Sequence, residues 1–253
     1  MHAGVVEVNV WTVTAAASVT CLATGLGAAP FLFVRGGMAR HWLGISNAIA
    51  SGFMLAASLG LVWQGWALGI GRLGLGTVAG AAFILGFRRL LGNDDDIVLG
   101  RLRGADARNA LVIIAVMTAH SASEGIGVGV SYGGGDKLGL LITLAIAIHN
   151  IPEGLAISLV LVPRGATTRS AAGWSVFSSL PQPLIAPFAY LFVQQFKPFL
   201  AVGLGFAAGA MIWMVFSELL PEALRGASRQ ALALGGGLSF LAMLGIQLGI
   251  FGV

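Results

Sequence analysis

LGLLITLAIAIHNIPEGLAISLVLV, residues Leu138–Val162, decides the fold. The run exceeds the ~20 mostly apolar residues with which a helix crosses a bilayer. Two ionisable side chains, His149 and Glu153, interrupt it near the middle. Charges at that depth are costly and point to function. The pair is spaced i, i+4, so both side chains share one helix face. Pro152 lies between them, cannot donate a backbone hydrogen bond, and frees the carbonyl of Ile148. A freed carbonyl of this kind can serve a cation where it lines a cavity.

Seven further stretches have the same character. They lie near Val10–Val34, His41–Trp63, Leu68–Leu91, Asn109–Ser131, Ser170–Val193, Phe199–Leu220 and Gln230–Phe251. The expectation is therefore an all-α integral membrane protein of about eight helices in one bundle, a single transmembrane domain over residues 1–253. Composition agrees: 57% of residues are hydrophobic and 9% charged, against roughly a quarter charged in soluble domains. The net charge of +4 is not gathered into the basic patch that nucleic acid requires. A lone Cys21 excludes an intramolecular disulfide framework and a cysteine-based zinc site. Met1–Val10 lacks Lys and Arg, so no cleavable signal peptide is expected.

The basic residues instead set topology. Eleven lie in the breaks after the first, third, fifth and seventh stretches, and only Arg72, Lys137 and Lys197 in the others. Positive loops stay inside, which puts the break at 92–108 in the cytoplasm and both termini outside. That loop carries Asp94, Asp95, Asp96 and Asp106 among three arginines, and no His. It reads as a solvated loop with at most weak cation collection. The strong Arg-over-Lys bias suggests a bacterial cytoplasmic membrane.

The fourth stretch repeats the chemistry of the fifth. MTAHSASEGIGVGVS holds His120 and Glu124, again i, i+4. Two antiparallel helices carrying the same pair can converge four ligands near the midplane, the depth at which transporters commonly bind. Imidazole nitrogen with carboxylate oxygen suits Zn²⁺, Fe²⁺, Mn²⁺ or Co²⁺. Gly125 and Gly154 would let a neighbouring helix come close. The sixth stretch adds Ser178, Ser179 and Gln182 among Pro181, Pro183 and Pro187; the seventh ends with Glu218 and Glu222, i, i+4, an interfacial cap or an exit relay for cations. In the second stretch Asn47 reads chiefly as interhelical glue.

HNIPEG, His149–Gly154, resembles the metal-binding motif of the fifth helix in the ZIP transporter family. GLGAAPF, ASGFMLAAS and FAAGAMIWMVFSELLPEA are similar to that family's first, second and seventh helices, and HSASEG to its HNxPEG. The resemblance implies a binuclear centre between the fourth, fifth and sixth helices, entry of metal into the cytoplasm, and relative motion of two helix bundles. It also implies that His120, Glu124, His149 and Glu153 hold one metal and that Glu153 bridges to a second. The family often completes the second site with Asn or a carboxylate on the fourth and fifth helices and a Glu before Pro on the sixth; here Ser121 replaces the fourth-helix Asn, Asn150 stands beside His149, and Gln182 stands where that Glu is expected. The expected activity is divalent-metal transport, Zn²⁺ first, with Fe²⁺, Mn²⁺, Co²⁺ and Cd²⁺ as alternatives; metal is substrate, no cofactor is implied, and a homodimer is allowed. A metalloprotease would need a string such as HExxH, which is absent. A non-metal solute channel or a structural subunit is the other competing class.

Overall fold

Asn9 starts the first helix: its side-chain oxygen accepts from the backbone N–H groups of Trp11 and Thr12, satisfying donors that have no partner in a first helical turn. The computed structural model describes residues 8–33, 40–90, 98–99 and 102–251. Helix α1 (Val10–Leu26) is shorter than the expected Val10–Val34. It gives way to a 3₁₀ turn, Ala29–Leu32, begun by Pro30. Then come α2 (Arg40–Trp66) and α3 (Ile70–Leu90).

Of the loop expected over 92–108, residues 92–97, 100 and 101 lie outside the described residues, and with them Asp94, Asp95 and Asp96. Two short strands, β1 (Val98–Leu99) and β2 (Leu102–Arg103), pair antiparallel. Helix α4 (Gly104–Gly133) begins ahead of the expected Asn109. A tight turn leads into α5 (Asp136–Leu161); Gly135 adopts φ +126° there, a region open chiefly to glycine.

The sixth stretch is two helices, α6 (Thr168–Ser179) and α7 (Pro181–Gln195), meeting at Leu180. Pro181 and Pro183 cannot donate to the carbonyls four residues earlier, so the helix breaks where a polar side chain, Gln182, must turn inward. The seventh stretch departs from the expected Phe199–Leu220 in a different way. Helix α8 (Phe199–Met214) runs through a π-helical turn, Val215–Leu219, into α9 (Leu220–Gly226). Pro221 explains the widening: its ring would meet the Ser217 carbonyl of a regular helix. Helix α10 (Arg229–Phe251) is the last.

Among the described residues six helical stretches are long and apolar enough to cross a membrane, and Val10–Leu26 is a shorter apolar helix. With one small β-hairpin, the protein is an all-α membrane protein. Helices α1, α4, α5, α6 and α7 pack on one another, as do α2, α3, α8, α9 and α10; α2 meets α5 and α4 meets α8 between the two groups. Small residues bring backbones together inside each group. A methyl group on Gly154 would overlap the Thr24 carbonyl, joining α5 to α1; one on Gly209 would overlap the Thr77 carbonyl, joining α8 to α3. Helices α3 and α10 form the rim, with 22% and 17% of their apolar windows buried.

Candidate metal centre

Four residues from consecutive antiparallel helices meet inside the first group. His120 and Glu124 come from α4, His149 and Glu153 from α5, and the i, i+4 spacing turns each pair toward the other helix. One potential ligand atom from each lies within 4.8 Å of all the others. All four are buried, none more than 3% exposed. Glu124 is the hub: its Oε1 is 2.5 Å from His149 Nε2 and 3.3 Å from His120 Nε2. The second contact lacks the alignment of a hydrogen bond, and among the described residues His120 Nδ1 and Nε2, His149 Nδ1 and both oxygens of Glu153 find no hydrogen-bond partner. Buried polar atoms normally do. Two imidazoles and two carboxylates with unspent lone pairs are the donor set of a divalent transition-metal site.

The other oxygen of Glu124 is held differently. Gln182 Nε2, at the start of α7, donates to Glu124 Oε2 across 2.6 Å. The amide's orientation follows from its far side, where Oε1 accepts from Thr20 Oγ1 at 2.5 Å and from Asn150 Nδ2 at 3.3 Å. Asn150 also donates to the Thr20 carbonyl at 2.9 Å. Asn150 and Gln182 thus face one another and α1. Ser121 is buried beside His120, and its hydroxyl has no hydrogen-bond partner among the described residues. Gly125 permits the approach of α7, since a β-carbon there would stand 2.9 Å from Gln182 Cα.

Sequence reasoning missed Thr20 and Thr24. Thr24 Oγ1 meets Ser179 Oγ at 2.8 Å, and both threonines are fully buried. Their i, i+4 spacing, which puts both hydroxyls on one face of α1, was the available signal. The expected relay pair lies elsewhere: Glu218 sits on the π-helical turn, and Glu222 pairs with Arg225 at 3.2 Å in a half-exposed position. Neither belongs to the four-residue cluster.

A family model described as "ZIP Zinc transporter" matches residues 93–253. An Arabidopsis thaliana protein provisionally named a zinc transporter is 46% identical over 240 residues, covering 94% of this chain and 38% of its own. The zinc transporter GufA of Myxococcus xanthus is 30% identical over 157 residues, 61% of this chain and 62% of its own. Human zinc transporter ZIP11 is 31% identical over 160 residues, 58% of this chain and 45% of its own. The chain therefore spans less than two thirds of the length of each.

Proposed function

The chain belongs to the ZIP zinc transporter family, and from that membership we propose that it moves a divalent transition-metal cation, Zn²⁺ first, toward the cytoplasm through the buried cluster. The observation that carries the reading is the convergence of His120, Glu124, His149 and Glu153 within 4.8 Å inside an apolar bundle. His120 and His149 supply imidazole nitrogens; Glu124 Oε1 and Glu153 supply carboxylate oxygens. The two negative charges balance one divalent ion, and the apolar surroundings make a large excess of either sign costly. The relatives are named as transporters, which favours transport over catalysis. All four ligands belong to the α1–α4–α5–α6–α7 group, so the ion travels with that group as it shifts against the other.

Uptake into proteoliposomes tests the proposal. Wild type should accumulate Zn²⁺, whereas His149→Ala and Glu153→Ala, each deleting a ligand, should lower the rate about tenfold or more, the scale on which metal sites respond to lost support. Wild-type rates in both variants, at equal amounts of folded protein, would remove the cluster from the transport path. Peptide cleavage without ion flux would point to an enzyme instead.

A further inference from the structure

A groove of about 340 Å³ runs along the membrane-facing surface between α7 and α8, over α4. Phe188, Phe192, Phe199, Val202 and Phe206 line it, and α4 contributes Ile126. Phe188, Phe192 and Phe199 are 72%, 46% and 48% exposed, so the slot opens sideways rather than into the bundle. From Phe199 to Phe206 it extends about 10 Å along α8, at 1.5 Å per residue. Its inner end reaches Ile126, two residues beyond Glu124, and Ile185, three beyond Gln182. Its outer end is the α7–α8 turn, where the rings of Phe192 and Phe199 lie 5.3 Å apart.

Lys197 stands in that turn. Its ammonium donates to two neutral oxygens, Gly133 O at 3.3 Å and Gln194 Oε1 at 2.7 Å. Among the described residues no carboxylate pairs with it. An ammonium has three protons to donate, so one donor and the whole charge remain available. Lysines at the ends of membrane helices reach the headgroup layer, and an ammonium there can make a charge-assisted hydrogen bond to a phosphate. An apolar slot open to the bilayer and capped by an uncompensated cation matches one molecule: a chain with an anionic head. We infer that this groove binds an anionic glycerophospholipid, with an acyl chain against the phenylalanines and the headgroup phosphate at Lys197. The lipid lies between the two helix groups on the α4–α8 side, so its occupancy bears on how they move against each other.

The test uses the full chain with two lipids of identical acyl chains, phosphatidylglycerol and phosphatidylcholine, and counts retained lipid by native mass spectrometry. Wild type should keep one phosphatidylglycerol in preference to phosphatidylcholine by about fivefold, the ratio one basic residue near the surface supports. Lys197→Gln should erase the preference, and Val202→Trp, which fills the slot, should lower retention of both lipids. Equal retention by wild type, or an unchanged preference in Lys197→Gln, overturns the site. A dimer that Val202→Trp disperses would assign the groove to a second copy of the chain and overturn it as well. Lys197 is exposed and its replacement leaves the packing intact, so that arm decides even if the tryptophan variant misfolds.

Discussion

The two oxygens of Glu124 have different neighbours: Oε1 faces the histidines, while Oε2 holds the Gln182 amide. An amide supplies a donor and no charge, so two cations would share only Glu124 and Glu153. We therefore expect one tightly held ion in the wild type, and Gln182→Glu to raise the metal-to-protein ratio toward two by elemental analysis. Without a second cation the new carboxylate would repel Glu124 by about 4 kcal/mol at an intermediate dielectric; two equally tight ions in the wild type would show that neutral ligands suffice. Metal also competes with protons for imidazole and carboxylate. Apparent affinity should fall as the medium is acidified, and calorimetric titration giving one constant from neutral to acid buffer would contradict the ligand set. Histidine and glutamate were legible in the sequence because a charge within an apolar run has few structural explanations. Thr20 was not: its hydroxyl also reaches the Ala17 carbonyl of its own helix, at 2.8 Å, which is what a threonine in any membrane helix does.

Helices pair here through backbone contact, so glycine positions divide into two kinds. Gly154 sits against the Thr24 carbonyl, whereas Gly237 has open space where a β-carbon would be. Gly154→Ala should cost about 1–3 kcal/mol, the range for overpacking, and Gly237→Ala should be neutral or slightly stabilising. Cys21 is buried, so its reaction with a thiol dye during heating reports both midpoints; equal midpoints would deny the α1–α5 contact its role. The order of the apolar helices could be read from the sequence, although among the described residues six are long and apolar enough to cross a membrane and α1 is shorter. Their internal breaks could not: hydropathy is blind to backbone donors, and one proline kind produced three outcomes. Pro152 stays within α5, Pro181 begins a new helix after Leu180, and Pro221 follows a π-helical turn.

At the scale of the molecule, the predictions concern orientation and motion. Charge asymmetry predicts that Ser170, beside Arg169, faces the cytoplasm and Gln195, near Lys197, faces outside; both are exposed. In a Cys21→Ser background an impermeant thiol reagent should label Gln195→Cys in sealed cells and Ser170→Cys only after permeabilisation, and the reverse pattern inverts the topology. Motion between the helix groups can be arrested where α4 meets α8. A β-carbon on Gly127 would stand 3.0 Å from that of Ala207, close enough for a disulfide after slight adjustment. Oxidised Gly127→Cys/Ala207→Cys protein should lose uptake yet keep its bound metal, with reductant restoring flux; full uptake by the cross-linked form would show that the groups need not separate. The short α4–α5 turn carries one more consequence, for biogenesis. All four ligands lie between His120 and Glu153 on two helices joined by that turn, so they leave the ribosome together and need only a small loop to meet. Gln182 is synthesised later. The nascent protein thus has its cation-binding groups in hand before it has the amide that fixes Glu124, and the last event in maturing the site is the arrival of α7.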